Sequence, residues 1–201
     1  MSTEDTRAPD PGHPPGTDPD PAGTDEPGPP TDEPGPPPTT YPGPPPLDRG
    51  DDDLRVALAA HPFTADFDAA HLERLSSLLG MVEVDAGDFV FHHGQPAETL
   101  YLVTEGTVAL EIAGAARSPL VLETLHPGDA LGWSWLYPPH RWHLDARVVT
   151  PLTALTLDAP GLRRYFADDP VLAAVVTWRI GAVLVDRLHH ARNQLASVQW
   201  P

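Results

Sequence analysis

The most constraining feature of this sequence is a run of short apolar segments between Met81 and Asp158, separated by glycine or proline. The segments are VEVDAG, FVFHHGQ, TLYLVTEG, TVALEIAG, SPLVLETLHPG and ARVVTPLTALTLDA. Runs of this length with turn residues between them are typical of β-strands. Several short strands at close turn spacing predict a sandwich, a roll or a barrel.

Helical patterns lie on both sides of this β region. Upstream, leucines recur at helical spacing from Leu72 to Leu79, and Asp68 suits an N-cap. Gly80 is the predicted end of that helix, because glycine tolerates the left-handed conformation found there. Downstream of Pro170 the pattern predicts a long helix. Its apolar face carries Leu172, Val176, Ile180, Val183, Leu184, Leu188, Ala191 and Leu195, whereas Arg179, Asp186, Arg187 and Arg192 fall on other faces.

Residues 1–53 form a separate leader that is rich in proline and acidic residues. This stretch holds most of the 27 prolines and almost no aliphatic residue before Leu47. Because too little apolar surface is available to offset the entropy of ordering the backbone, we predict a disordered tail. The heptapeptide TDEPGPP occurs twice, at residues 24–30 and 31–37, and YPGPPP follows. The repeat is compatible with a solubilising leader or with docking of a protein partner through residues 24–46.

Charge and residue usage exclude several classes of partner and chemistry. The net charge is −17 and the sequence contains no lysine, whereas a protein that binds nucleic acid normally carries a basic surface. The chain has no cysteine, so disulfides, thiolate metal sites and a cysteine nucleophile are excluded. It shows neither a signal sequence nor an apolar run of about 18 residues that could span a membrane. We therefore predict a cytoplasmic protein.

Two stretches of the sequence carry a family resemblance. They are AGDFVFHHGQPAETLYLVTEGTVAL, from Ala86 to Leu110, and LHPGDALG, from Leu125 to Gly132. Together with the order of a short helix, a β region and a long helix, they resemble the cyclic-nucleotide-binding domain of the catabolite-activator and FNR-type regulators.

The resemblance implies the fold class and the domain boundaries. The expected fold is mainly β with flanking helices, an α+β arrangement around a cupin-like double-stranded β-roll. The roll and its N-terminal helices would cover residues 54–170, and a long C-terminal helix would cover residues 171–201. Strands are expected to reverse at four glycines, because positive φ angles are inexpensive only for glycine. These glycines are Gly87, Gly94, Gly106 and Gly128.

The segment that resembles the phosphate-binding cassette departs from the family pattern. In the family, a glutamate that holds the ribose hydroxyl follows the second glycine turn, whereas here Trp133 follows Gly132. An arginine and two small residues come later in the family cassette. Counting along the sequence places either Arg141 or Trp142 at the arginine position, and strand alternation turns these two side chains to opposite faces. Trp142 and His143 would also crowd a cyclic phosphate.

Two interpretations of the tryptophans follow. Neither supports ordinary cyclic AMP binding, because the lost glutamate contact is worth about 1.5–3 kcal/mol. In the first, Trp133, Trp135 and Trp142 fill the former pocket as core. In the second, they line a pocket for a flat or apolar small-molecule ligand, with an anion contact from Arg141 or Arg147 and with histidines at the rim. No cofactor is expected beyond a nucleotide or another small molecule. The candidate ligand-binding residues are Gly128, Gly132, Trp133, Trp135, Arg141, Trp142, His143 and Arg147.

A metal-dependent enzyme of the cupin type is a further alternative, because the roll region contains several histidines. A cupin-like site would place two histidines one residue apart on a strand, but His92 and His93 are adjacent and alternation sends them to opposite faces. No Ser-His-Asp, paired-carboxylate or nucleotide-loop motif stands out. We therefore predict no metal site and no catalytic activity. The histidines concerned are His92, His93, His126, His140 and His143.

The final helix allows a prediction about assembly. In the resembled family this helix dimerises, so a homodimer through residues 171–197 is expected, and packing against the roll is the alternative. The chain stops at Pro201, so we expect no winged helix-turn-helix domain. The sequence thus favours a stand-alone, small-molecule-sensing regulatory module in which binding moves the long helix. The alternative is a ligand-free adaptor that docks a larger assembly through its leader.

Overall fold

The chain folds into an antiparallel sheet that is flanked by helices. The computed structural model describes residues 50–112 and 119–197, so nearly all of the leader lies outside the described residues. The helices are α1 (Asp51–Ala60), a short 3₁₀ helix (Pro62–Thr64), α2 (Ala69–Ser76), α3 (Ala159–Asp168) and α4 (Pro170–Ser197). The strands are β1 (Leu79–Val84), β2 (Phe89–Phe91), β3 (Thr99–Ile112), β4 (Leu120–Leu125), β5 (Ala130–Leu131) and β6 (Asp145–Asp158).

Two long strands, β3 and β6, organise the sheet. Its strand order is β1-β6-β3-β4, while β2 pairs with β6 and β5 pairs with β3. This arrangement confirms the predicted mainly β fold with flanking helices and a long C-terminal helix. No helix in the described part of the chain is both long and apolar enough to cross a membrane.

The N-terminal helices begin and end at places that differ from the predicted ones. Helix α1 begins at Asp51 and so includes the last three residues of the predicted leader, and the acidic side chains of its first turn suit the positive end of the helix dipole. Asp68 caps α2 as predicted, because its Oδ1 accepts a 2.7 Å hydrogen bond from the backbone N–H of His71. The prediction for Gly80 was wrong. α2 ends at Ser76, and Gly80 lies in β1, where a Cβ would approach Thr156 Oγ1 to 2.8 Å.

Three of the four glycines that were predicted to reverse the chain lie in turns between strands. Gly87, Gly94 and Gly128 have positive φ angles in the connections between strands. Gly106 does not reverse the chain, because β3 continues through it. The pairing of β3 with β6 shifts register there, and a Cβ would collide with the backbone of Pro151, so this glycine permits a bulge and a close approach of two strands.

The interior of the roll is apolar, and the N-terminal half of α4 packs against it. Buried side chains from the strands form one core with Leu172, Val176 and Ile180 of α4. Val183 and Leu184 pack against this core while partly exposed, and Leu188 and Ala191 are exposed. Among the α4 side chains that the structure describes, up to residue 193, the predicted apolar face packs on the roll over the first half of the helix, and Leu195 lies outside the described side chains.

Candidate functional site

The candidate site lies in the segment between β5 and β6, residues 132–144, which we call the cassette loop. Its first residue, Gly132, has a φ of 85°, and His140 has a φ of 54°. Backbone hydrogen bonds anchor its far end to the turn after β2. Gly94 donates to the carbonyl of Trp142, and Trp142 donates to the carbonyl of Gln95, at 2.8 and 3.0 Å. These bonds fix which residue of the loop enters the roll.

Trp142 is the cassette-loop residue that enters the core of the roll. Its side chain is 4% exposed and stacks on Phe91, with ring centroids 3.9 Å apart and ring planes 10° apart. The ring of Tyr101 lies 6.4 Å away in a tilted orientation. Contacts between aromatic rings add to the hydrophobic gain of burying a large side chain. Trp142 is therefore packed as core, in line with the first of the two interpretations.

Gly132 and Trp142 are matched in shape. A Cβ on Gly132 would lie 2.6 Å from Cζ3 of Trp142, and the left-handed backbone at Gly132 also favours glycine. The absence of a side chain at the second glycine turn thus provides the space that the indole occupies.

Trp133 lies at the surface of the same loop. Its ring stacks on that of His143, with centroids 5.6 Å apart, and meets Tyr137 edge-on at 6.5 Å. His143 Nδ1 lies 3.0 Å from Oγ of the buried Ser134, a hydrogen bond that fixes the orientation of the imidazole. Trp133 is partly exposed and His143 is exposed. These two rings form a wall that faces solvent on one side.

Trp135 lies apart from both of these tryptophans. It is fully buried, its ring is 5.9 Å from that of Phe166 on α3, and its carbonyl accepts a hydrogen bond from Arg163. Its indole Nε1 has no hydrogen-bond partner among the described residues. Trp135 joins the cassette loop to α3.

The two arginines that were predicted to contact an anion point elsewhere. Arg141 is exposed, and its Nη1 donates a 2.6 Å hydrogen bond to the carbonyl of Gly94. Strand alternation predicts this separation from the buried Trp142. The guanidinium of Arg147 bonds Glu111, with 2.9 Å from Nε to Oε1, and this contact raises the pKa of Arg147. Because both neighbours of Arg147 along β6 are fully buried, its side chain points away from the roll interior.

A cleft opens where the cassette loop meets α4. It encloses about 30 Å³ of free volume, within about 300 Å³ of unoccupied space that includes its open mouth. Pockets that hold drug-sized ligands have volumes of roughly 300–1,000 Å³. The enclosed part is thus far smaller than such a ligand. The cleft is lined by Phe91, Leu110, Leu131, Gly132, Trp133, Ser134, Trp142, His143, Leu144 and Arg187.

Arg187 of α4 brings a cation to this cleft. Its side chain is only 15% exposed, its Nη2 donates a 2.6 Å hydrogen bond to the carbonyl of Ala130, and its Nε lies 3.1 Å from Oε1 of Glu123. Burial lowers the pKa of Arg187 and raises the pKa of Glu123, with the attraction between the two opposing each shift. The pair joins α4 to β4, and the bond to Ala130 joins α4 to β5.

The sequence prediction missed Arg187 because it placed this residue on another face of α4. Ile180, Val183 and Leu184 face the roll, and position 187 lies on the same face of the helix, one turn after 183 and 184. A single charged residue on this otherwise apolar face was therefore the available sequence signal. Glu123 had no such signal, since its partner lies in a distant helix. Gly128 and His140 make backbone hydrogen bonds to β3 and to Ala97 and are not among the residues that line the cleft.

The histidines after β2 are bound to a neighbouring carboxylate. Oδ1 of Asp145 lies 3.2 Å from Nδ1 of His92 and accepts a 2.8 Å hydrogen bond from the backbone N–H of His93. Within residues 50–112 and 119–197, no group of three or more His, Asp or Glu side chains is arranged to hold a metal ion.

Comparisons with known proteins agree with the roll architecture. Residues 81–169 match the model of the cyclic nucleotide-binding domain family. The CRP-like cAMP-activated global transcriptional regulator of Mycobacterium tuberculosis is 27% identical over 124 residues, which are 62% of this chain and 54% of that protein. The chain thus spans about half the length of this relative.

Solved structures extend the match to the helices. A cyclic nucleotide-binding domain from Methylobacillus flagellatus aligns with a TM-score of 0.68 and 16% identity, over 81% of this chain and 93% of that one. The N-terminal domain of a transcriptional regulator from Streptomyces coelicolor aligns with a TM-score of 0.54 and 25% identity, over 64% of this chain and 92% of that one. Residues 81–169 therefore carry a cyclic-nucleotide-binding domain of the CRP/FNR type.

Proposed function

We propose that this domain is a non-catalytic regulatory module that does not bind a cyclic nucleotide through the contacts its family ordinarily uses. The observation that carries the proposal is the position of Trp142. Its ring is 4% exposed, is stacked on Phe91, and takes the space beside Gly132. A ligand in that space would have to displace a large buried ring, whose removal from a core costs about 3–5 kcal/mol.

The polar groups of the loop support the same conclusion. The family's glutamate position holds Trp133, and Arg141 is exposed and bonded to the carbonyl of Gly94. Neither a carboxylate for a ribose nor a guanidinium for a phosphate is therefore directed into the roll from these positions. The altered cassette favours a different ligand or none in the roll interior.

The cleft at the mouth of the roll is the place where a ligand can influence α4. Arg187 lines the cleft and holds α4 to β4 and β5. A small molecule that binds there changes the contacts of the helix itself, so binding and helix position are coupled. We infer a cytoplasmic regulator, since its relatives include transcriptional regulators.

A titration tests the proposal. Cyclic AMP, cyclic GMP and cyclic dinucleotides are added to the full chain while tryptophan fluorescence is followed. We expect no saturable change with any of them at concentrations up to the millimolar range. Saturable quenching that Arg141→Ala abolishes would overturn the proposal, because it would place a nucleotide against the cassette arginine.

We further propose that the chain is a homodimer through the exposed face of α4. Trp178 is 80% exposed, Val171 63%, Val185 51% and Leu188 49%, on the side of the helix opposite Leu172, Val176 and Ile180. Trp178 and Val185 follow Val171 at seven-residue intervals, and a Cβ on Gly181, on the same face, would meet open space. Such spacing is typical of helices that pair side by side.

Sedimentation measurements test the dimer. The wild type is expected to sediment as a dimer and Trp178→Glu as a monomer, because the substitution places a charge in the apolar contact. Val56→Glu is the matched control, since Val56 is 70% exposed on α1 and its substitution is expected to leave the dimer intact. A wild type that remains monomeric at all concentrations would contradict the proposal.

The leader supports a second role, recruitment of a protein partner through residues 24–46, which lie outside the described residues. The repeated TDEPGPP motif favours this role, because two copies raise the effective concentration of a weak docking segment. Deletion of residues 1–46 is expected to abolish recruitment and to leave the roll folded. Retained recruitment after the deletion would assign the contact to the roll or to α4.

A further inference from the structure

The chemistry of the cleft between the cassette loop and α4 restricts the ligand that it can take. Most of the lining is apolar or aromatic, and none of the described lining residues is acidic. Arg187 contributes a permanent positive charge, whereas Ser134 and His143 are already bonded to each other. An apolar cleft with one cation at its wall suits a ligand that has a flat apolar body and one anionic group.

The partners of Arg187 can be exchanged. Its Nη2 is bonded to the carbonyl of Ala130, and its Nε faces Glu123, whose side chain is 28% exposed. Within the described part of the chain, Nη1 donates no hydrogen bond. A second anion can therefore approach the guanidinium from the cleft and compete with Glu123.

The outer wall of the cleft provides an aromatic surface. Trp133 and His143 stack in parallel, and both have solvent on one side. Trp142 and Phe91, which also line the cleft, are held in the core. The wall that can move to enlarge the small cleft is therefore the one formed by Trp133 and His143.

We propose that this cleft binds a small aromatic anion, whose ring lies against Trp133 and whose anionic group pairs with Arg187 in place of Glu123. The inference rests on the proposed function, because it assigns the ligand class of the same regulatory module. Exchange of one carboxylate for another anion at Arg187 releases β4 from α4 while the cation remains paired. Binding is thus coupled to the position of the helix.

Two naphthalene probes test the ligand class in the full chain. 8-Anilinonaphthalene-1-sulfonate carries a sulfonate, and N-phenyl-1-naphthylamine has the same rings without the charge. We expect the anionic probe to bind with one site per chain and to quench tryptophan fluorescence. The neutral probe is expected to bind at least about tenfold more weakly, since a charge-assisted hydrogen bond contributes that much affinity or more.

Three variants assign the effect to Arg187. Arg187→Met is expected to weaken binding of the sulfonate about tenfold or more and to leave the neutral probe unaffected. Arg192→Met, an exposed arginine on the same helix, is the matched control and is expected to bind both probes as the wild type does. Glu123→Gln is expected to strengthen sulfonate binding severalfold, because the competing carboxylate is lost. If Arg187→Met fails to fold, the stronger binding expected for Glu123→Gln still tests whether the sulfonate pairs with Arg187.

The outcomes separate this inference from the proposed function. Saturable binding that is equal for both probes, and equal in Arg187→Met and Glu123→Gln, would overturn the anionic ligand class and leave the cleft as a ligand site. Absence of saturable binding for both probes would overturn the assignment of the cleft as a ligand site. The cyclic-nucleotide titration decides separately whether the roll interior is closed to nucleotides.

Discussion

Trp142 and Trp133 belong to the same loop and have opposite surroundings. Trp142 is buried between Phe91 and the bare backbone of Gly132, whereas Trp133 is partly exposed and contacts His143 and Tyr137. One indole is part of the roll core, and the other forms the wall of a cleft. The presence of tryptophans in a ligand-binding loop therefore does not show whether the pocket behind the loop is filled or open.

The difference arises from backbone anchoring. Trp142 is held by two backbone hydrogen bonds to the turn after β2, which direct its side chain into the roll. Trp133 follows Gly132, whose backbone is in the left-handed conformation, and its side chain is partly exposed. Substitutions at the two positions are therefore expected to separate an effect on stability from an effect on binding.

The largest expected effect is that of Trp142→Ala. Removing this ring leaves a cavity beside Phe91 and Tyr101, so we expect the free energy of unfolding to fall by about 3–5 kcal/mol. Denaturant unfolding followed by circular dichroism measures this change. A loss below about 1 kcal/mol, the range of surface substitutions, would contradict the role of Trp142 as core.

Gly132→Ala is expected to have the next largest effect. The left-handed backbone costs about 1–2 kcal/mol for a residue with a Cβ, and the clash with Trp142 adds a further cost of about 1–3 kcal/mol. In the Trp142→Ala background the clash is absent, so only the backbone cost remains. A double-mutant cycle by denaturant unfolding measures the coupling, and strictly additive losses would show that the two residues are independent.

The histidines differ in burial as the two tryptophans do, and the buried His61 makes the stability of the fold depend on pH. Unlike the exposed His143, it is buried, its Nδ1 accepts from the N–H of Phe63, and its Nε2 contacts the carbonyl of Val103. Burial lowers the pKa of His61 below its ordinary value of 6.5. Protonation then favours the unfolded chain, so stability is full above about pH 6.5 and decreases as the pH falls through the folded-state pKa. Urea unfolding from pH 8 to pH 5 measures this slope, which we expect His61→Gln to reduce.

Trp133→Ala is expected to have the smallest effect on stability. Because its ring is partly exposed, the free energy of unfolding should change by about 1 kcal/mol or less. Binding of the anilinonaphthalene sulfonate should nevertheless weaken, since the aromatic wall is lost. Denaturant unfolding and probe titration on the same preparation test both statements. A stability loss as large as that of Trp142→Ala would remove the distinction between the two tryptophans.

The fold could be predicted from local patterns, because each signal acts over a few residues. The cap at Asp68, the short strands and the turn glycines are of this kind, and the structure has them. Gly80 and Gly106 were assigned to a helix end and a turn, since the sequence does not show the distant strand that approaches each of them. A glycine required by a tertiary contact is indistinguishable from one required by a turn.

The site was predicted only in part, because its contacts join distant segments. Strand alternation separated Arg141 from Trp142, but only the bonds to residues 94 and 95 decide which one enters the roll. Arg147 is paired with Glu111 across β3 and β6, and Arg187 reaches back to Glu123. A lone charge on the buried face of α4 marks Arg187, but neither pairing leaves a local signal that identifies the partner.

The most direct test of the closed roll is fluorine NMR of the full chain labelled with 5-fluorotryptophan. The chain contains 5 tryptophans, and single Trp→Phe variants assign their resonances. We predict that millimolar cyclic AMP leaves the Trp142 resonance unchanged, whereas the anilinonaphthalene sulfonate shifts the Trp133 resonance. A saturable shift of the Trp142 resonance with cyclic AMP would show that the roll interior admits the nucleotide and would contradict the account.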